Sequence, residues 1–140
     1  MKTAIITATG IIGSLVASLF GGWTASLTTL LIFMGIDYVT GLICAGLFHK
    51  SPKSETGALE SKASYKGLVR KGMILLIVLM AHRLDLATGA NYIRDAVCIA
   101  FMANEALSII ENAGLMGVPI PPVVTNAIEL LKKKGNGSNE

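Results

Sequence analysis

Two long apolar segments open the chain. No charged residue occurs between positions 3 and 36, and from there to position 48 only Asp37 interrupts the apolar sequence. The Gly21-Gly22 pair predicts a tight turn that separates segment A, about 4–20, from segment B, about 24–48. A bilayer core of about 30 Å needs about 20 mostly apolar residues per helix. The first 48 residues therefore predict two membrane spans.

The second half of the chain also contains two apolar segments, which are shorter. A polar loop at 49–71, predicted to be solvated and to turn helical near Tyr65, leads into segment C, which begins near Gly67 and ends at Arg83 and Asp85. Segment D, about 92–115, ends before a proline-rich stretch that stops any helix. In the tail, four apolar residues recur at helical spacing before three lysines: Val124, Ala127, Ile128 and Leu131. This pattern predicts an amphipathic helix that lies on a membrane surface.

The composition supports a membrane protein. Hydrophobic residues make up 52% of the 140 residues and charged residues 15%, whereas soluble domains have about 25% charged residues. We predict an all-α fold: an integral membrane helical bundle with about four transmembrane helices plus a C-terminal amphipathic helix. The transmembrane domain covers 1–118 with its basic loop at 49–71, and residues 119–140 form the cytoplasmic helix and a disordered tail.

The basic residues predict the orientation. Four spans place the N-terminus, the 49–71 loop and the C-terminus on one side, which then carries ten of the twelve basic residues. By the positive-inside rule that side is the cytoplasm. Six of these residues are predicted to lie at the membrane surface: Lys66, Arg70, Lys71, Lys132, Lys133 and Lys134.

Two acids fall near the middle of predicted spans. Asp37 lies in segment B and Glu105 in segment D, and this topology places no basic residue at their depth. A carboxylate there costs several kcal/mol unless it faces water, is paired or is protonated. Two interpretations stay open: neutral acids that hydrogen-bond between helices, or side chains that line a water-filled path. Helical spacing extends the polar face of segment D over five residues: Asn104, Glu105, Ser108, Glu111 and Asn112.

Small residues recur along segment A at every fourth position. Such spacing lets helix backbones approach closely in lipid, which predicts packing on both sides of segment A, including packing between protomers. The two rows are Gly13, Ala17 and Gly21, and Gly10, Ser14 and Ser18.

The sequence offers no catalytic constellation. His49 and His82 fall at opposite ends of the predicted bilayer, as do Cys44 and Cys98, and no phosphate-binding loop or nucleophile elbow occurs. We therefore predict that the protein is not an enzyme and uses no metal or cofactor. The basic loop is interpreted as contacting anionic headgroups rather than nucleic acid.

Several motifs resemble one family. Asp37, Thr40 and Gly41 match a D-x-x-T-G signature inside an apolar span, and residues 104–112 match an N-E-x-x-S-x-x-E-N block. A G-x-P-x-P block at 117–121 follows, then a short helix rich in leucine and lysine. Over about residues 25–134 the chain resembles the phage holins of the phage-lysis and toxin-secretion type.

This resemblance implies a function. Such holins accumulate in the bacterial cytoplasmic membrane and assemble into large homo-oligomers that permeabilise it, so that an endolysin or a toxin passes through. Asp37, Thr40, Gly41 and the polar face of segment D then line the pore or join the helices. Two alternatives stay open: a small four-helix proton-coupled multidrug transporter, and a non-conducting membrane regulator (an antiholin).

Overall fold

The protein folds into helices only, as predicted. The computed structural model describes residues 1–136, and it contains no strand in that range. The five helices are α1 (Lys2–Leu19), α2 (Ala25–Gly46), α3 (Ser61–Thr88), α4 (Ile93–Leu115) and α5 (Pro122–Gly135). The tail predicted to be disordered falls mainly on 137–140, outside the described residues, although Gly135 is the last residue of α5.

Local signals explain where several helices begin and end. Thr24 caps the N-terminus of α2, because its hydroxyl accepts a hydrogen bond from the Leu27 N–H at 3.2 Å. Gly89 adopts a left-handed conformation just after α3, as is common at helix C-termini. Pro122 opens α5, where its missing N–H costs nothing.

Helix α3 is longer than predicted in both directions. It comprises 28 residues, starting six residues before the predicted Gly67 and continuing past Arg83 and Asp85 to Thr88. The prediction placed charged residues outside the helix. The helix instead buries Asp85 on its inward face, so charge did not mark its end.

Helix α4 is the centre of the packing and contacts α2, α3 and α5. Its apolar contacts form one cluster with α2 and α3, whose buried members are Leu27, Leu30, Met34, Val78, Cys98 and Met102. The α1–α2 and α3–α4 turns meet at one end of the bundle, since Arg94 donates to the Phe20 carbonyl at 2.8 Å. We call this the turn end, and the opposite end, with the 47–60 connection, the loop end.

Helix α1 lies almost bare beside this bundle. Residues 2–12 are all exposed, and Ala17 is the only buried residue of α1. Two helices, α1 and α2, are long and apolar enough to span a membrane. The four-span bundle therefore stays a prediction for α3 and α4.

Helix α5 packs against α4, whereas the sequence predicted a helix lying apart on the membrane surface. Ile128 is buried, and the Gly135 backbone approaches Ala100 so closely that a Cβ at Gly135 would lie 2.8 Å from the Ala100 Cα. Residues 116–121 turn the chain, so α5 runs back along α4. Of the predicted apolar face, Ile128 is buried and Leu131 is half-buried, whereas Val124 and Ala127 stay exposed.

Candidate functional site

A lysine joins the two mid-helix acids. Lys71 Nζ of α3 lies 2.8 Å from Asp37 Oδ2 of α2 and 2.7 Å from Glu105 Oε2 of α4. Both carboxylates are buried, and little of the Lys71 side chain is exposed. The three side chains form an ion-pair centre that ties the three helices together, which we call the Lys71 centre.

This geometry corrects two predictions. The sequence placed Lys71 at the membrane surface and left Asp37 and Glu105 without a basic residue at their depth. The early helix start of α3 explains the difference, because it places Lys71 ten residues inside a helix, about 15 Å from its first residue. Both acids pair with Lys71, an arrangement that neither of the two open interpretations included.

The inward face of α3 carries the signal that would have located Lys71. Starting from Ser64, every third or fourth residue is small or apolar apart from Lys71 itself, and none of them is exposed: Ser64, Gly67, Lys71, Ile74, Val78, Ala81. Arg70, one position away, points to another face and is exposed. Helical periodicity therefore places Lys71 on the inward face and Arg70 on an exposed face, although the basic residues alone predicted that both lie at the membrane surface.

A second layer of hydrogen bonds holds Asp37. Asn112 Nδ2 donates to Asp37 Oδ1 at 3.1 Å and to Thr40 Oγ1 at 3.0 Å. Gly41 lies beside this amide, and a Cβ there would meet Asn112 Nδ2 at 3.8 Å, an ordinary van der Waals contact. The predicted D-x-x-T-G residues and Asn112 thus form one network.

The predicted polar face of α4 divides into two groups. Glu105 and Asn112 are buried in the network, and Ser108 is half-buried beside it. Asn104 and Glu111 are exposed. The face is therefore largely a helix-joining surface in the protomer.

A cavity of about 240 Å³ leads from the loop end to the Lys71 centre. Ser108, Asn112 and Asn104 line it together with the Lys71 centre, and residues 51–60 form its roof. From this roof Lys53 reaches within 4.0 Å of Asp37 Oδ2 with a half-exposed side chain. The buried hydroxyl of Ser54 lines the cavity and has no hydrogen-bond partner within residues 1–136.

The apolar cluster closes the other side. Its α2 members precede Asp37, its α3 members follow Lys71 and its α4 members precede Glu105. All of them therefore lie between the Lys71 centre and the turn end. The Lys71 centre therefore has the polar cavity on its loop-end side and the apolar cluster on its turn-end side.

The turn end has its own polar contacts. Asp85 accepts hydrogen bonds from the Ile93 and Arg94 N–H groups at 2.9 and 3.0 Å, which satisfies the N-terminus of α4. The bond from Arg94 lowers the pKa of Asp85 most, and the bond from Ile93 lowers it further. Gly21, with φ of 85°, passes so close to His82 and Arg94 that a Cβ there would lie 2.5 Å from both side chains.

The predicted packing residues of α1 find few partners within the protomer. Of the six, only Ala17 is buried and Gly13 is half-buried. A Cβ at Gly10 or at Gly13 would meet no atom within 4 Å. Packing between protomers stays a prediction for this helix.

The other basic residues predicted at the membrane surface occupy two places. Lys66 and Arg70 are exposed on α3. Lys133 and Lys134 are exposed and Lys132 is half-buried on α5, where Lys132 Nζ lies 4.0 Å from Glu129 Oε1. Within residues 1–136, no group of histidine, cysteine or acidic side chains could hold a metal ion.

Comparisons with known proteins give one family. Residues 14–133 match the Bacteriophage holin family. A protein of Bacillus phage phi105 named as a probable holin is 32% identical over 115 residues, which cover 81% of this chain and 79% of that protein. An uncharacterised protein of Clostridium perfringens is 37% identical over 127 residues, covering 89% and 88% of the two chains. No solved structure matches.

Proposed function

This chain belongs to the bacteriophage holin family, and on that premise we propose that it assembles into large homo-oligomers that permeabilise the bacterial cytoplasmic membrane. The passing cargo is an endolysin that lyses the cell, or a toxin. The proposal needs a protein that is compact while closed and exposes polar surface when open.

The Lys71 centre is the observation that carries this proposal. Two carboxylates and one ammonium form a charged core within three helices of 22, 28 and 23 residues. A buried ion pair is expensive to desolvate and gives little stability compared with apolar packing. Its presence therefore favours a role in which these charges are exposed to water at some stage.

Closed and open states follow from the two sides of the centre. In the closed protomer the apolar cluster seals the path towards the turn end, so the single chain is not a channel. Separation of α2, α3 and α4 in an oligomer would hydrate Asp37, Lys71 and Glu105 along a new lumen between protomers. Water then compensates the charges that the helices pair in the closed state.

The positive-inside rule supports a cytoplasmic loop end, because that end carries the 47–60 connection with its lysines. The three lysines of α5 do not add to this count, since α5 runs back along α4 and places them near Ala100, away from the loop end. We expect a cysteine replacing Glu55 to resist a membrane-impermeant thiol reagent in intact cells, and one replacing Asn91 to react. Both are placed in a chain without Cys44 and Cys98. Reaction at position 55 before lysis would contradict this orientation.

The permeabilisation test compares Glu105→Gln with the wild type in bacteria. The Lys71 centre has two carboxylates and one ammonium, and Glu105→Gln leaves a balanced Asp37–Lys71 pair. We expect this variant to insert and crosslink into oligomers as the wild type does, but to admit an impermeant dye later. The membrane levels of the two proteins are matched by quantitative blotting.

Exposed-residue controls separate the outcomes. Glu111→Gln removes one carboxylate from the exposed side of the same helix, so we expect wild-type timing. If the wild-type protein accumulates in the membrane without dye entry, the holin function is contradicted and a non-conducting regulator is favoured. If Glu105→Gln permeabilises on time, hydration of the Lys71 centre does not drive opening.

A further inference from the structure

The outer surface of α3 next to the cavity carries unpaired positive charge. Arg70 borders both the cavity and a shallow groove that it forms with Tyr65, Lys66 and Val69. Within residues 1–136, neither Lys66 nor Arg70 has an ion-pair partner, and Lys53 has only the 4.0 Å contact with Asp37. We call the side chains that border the cavity mouth or the groove the rim: Lys53, Ser54, Glu60, Lys66 and Arg70. Glu60 is the carboxylate of this set, and it already accepts from the Thr56 N–H and hydroxyl.

The cavity behind this rim holds more space and polar capacity than the chain uses. Its volume of about 240 Å³ far exceeds the ~30 Å³ that one water occupies in the liquid. Among the residues that the structure describes, Ser54 Oγ is buried there without a partner, and a buried hydroxyl without a hydrogen bond is unfavourable. The rim therefore offers a net positive charge and a free hydroxyl to a polar ligand.

An apolar strip continues from the groove towards the turn end. Val69, Met73, Leu76 and Met80 follow each other at helical spacing, and each is more than half exposed. They lie on the face of α3 that begins beside Lys66 and Arg70. A ligand that fills both features needs a charged head and a long apolar chain.

From these features we infer that this rim is a binding site for an anionic phospholipid of the adjoining leaflet. The phosphate lies between Lys66 and Arg70, and the headgroup reaches the rim at Lys53 and Ser54. The acyl chains lie along the apolar strip. Basic pockets between helices near the cytoplasmic leaflet bind lipid headgroups in this way.

The charges favour an anionic lipid over a zwitterionic one. The rim carries three positive charges, on Lys53, Lys66 and Arg70, and one negative charge, on Glu60, so its net charge is positive by two. Lys71 already neutralises part of the charge of Asp37 and Glu105. A glycerol headgroup also has hydroxyls that can donate to Glu60 and bond with Ser54. A choline headgroup has no donor and adds a positive charge where the rim is already positive.

The site requires that the chain lie in a bilayer, but it does not require that the protein open a lesion. Binding is therefore measured on the purified full chain without reference to lysis. The protein in detergent is titrated with phosphatidylglycerol, phosphatidylethanolamine or phosphatidylcholine, and bound lipids are counted by native mass spectrometry. We expect phosphatidylglycerol to bind most tightly and phosphatidylcholine least tightly.

Matched variants locate the site. Arg70→Gln should weaken phosphatidylglycerol binding about tenfold, the effect of losing one charge-assisted hydrogen bond, and Ser54→Ala should weaken it less. Lys62→Gln removes the same charge from an exposed position of α3 outside the cavity and groove, and should leave binding unchanged.

Three results would overturn the assignment. One is equal binding of phosphatidylglycerol and phosphatidylcholine. Another is equal loss in Lys62→Gln and Arg70→Gln, which would indicate general attraction to a basic surface. The third is thermal stabilisation of the wild type, but not of Arg70→Gln, by inorganic phosphate without lipid, which would make this a site for free phosphate.

Discussion

Helices α1 and α2 are alike in hydropathy but differ in how much of their surface the protein buries. Both are long and apolar enough to span a membrane. The protein buries 6% of the most apolar 18-residue stretch of α1 but 28% of the corresponding stretch of α2. Helix α2 contributes Leu27, Leu30 and Met34 to the apolar cluster and Asp37 to the Lys71 centre. Helix α1 contributes almost nothing to either.

This difference separates two uses of an apolar helix. The surface of α1 faces outwards, where only lipid or another protein can cover it. The surface of α2 is divided between packing and a charged centre. Hydropathy cannot distinguish these uses, because one aspartate among 22 residues barely changes an average.

The largest expected effect comes from Lys71→Met, which tests whether the packed helices depend on their charged centre. It leaves buried Glu105 without its ion-pair partner and Asp37 with only the half-exposed Lys53 at 4.0 Å, and removing one partner of a buried ion pair costs about 3–5 kcal/mol. We expect a strongly lowered melting temperature in detergent. A triple variant that also carries Asp37→Asn and Glu105→Gln should recover most of the loss. A single variant as stable as the wild type would show that the centre does not hold the helices.

A smaller effect is expected for Gly135→Val, which tests whether α5 belongs to the packed region. The new side chain would overlap Ala100, and such overpacking costs about 1–3 kcal/mol. Tryptic cleavage at Lys132–Lys134 should become faster. Gly114→Ala is the control, because a Cβ there meets no atom within 4 Å. Unchanged cleavage in lipid vesicles would mean that α5 leaves α4 for the bilayer surface.

Asp85→Asn tests the turn end, and its effect should depend on pH. The carboxylate is stabilised by the Arg94 and Ile93 N–H groups, which lower its pKa below the ordinary 3.8. Its contribution is therefore fully present above about pH 4 and lost as the pH falls through the lowered pKa.

The melting temperatures of wild type and Asp85→Asn should differ at pH 7 and converge in acid. Comparing the two proteins at each pH cancels the titration of the other acids. Glu55→Gln, at an exposed loop position, should show no such convergence. A difference that stays constant down to pH 2 would contradict the assigned role of Asp85.

The smallest effect on the protomer is expected for Gly13→Leu in α1, the most exposed of the long apolar helices. Within residues 1–136 nothing lies within 4 Å of a Cβ at this position, so the new side chain clashes with nothing and the expected change is a gain of at most about 1 kcal/mol from helix propensity. If α1 packs between protomers through small residues, crosslinked oligomers in the membrane should nevertheless become fewer. A large loss of protomer stability would mean that α1 packs on the bundle.

Sequence reasoning found most of the site residues but misassigned one. Asp37, Glu105 and Asn112 were identified because polar residues stand out within apolar segments, and Thr40 through the D-x-x-T-G motif of the family resemblance. Lys71 was assigned to the surface, because it belongs to a basic stretch and its burial depends on which way α3 faces. Lys53 and Ser54 carried no signal, since their position above the cavity follows from how the 47–60 connection folds.

The sequence by itself determined the all-helical fold, the approximate extents of α1, α2, α4 and α5, and the family. Each of these depends on local periodicity, on turn residues or on motifs, which a linear pattern contains. Only the tertiary structure decided that Lys71 pairs with both acids, that α5 covers α4 and that α1 stays bare. These features depend on which helix faces meet, and that choice is made by the packing of all the helices at once.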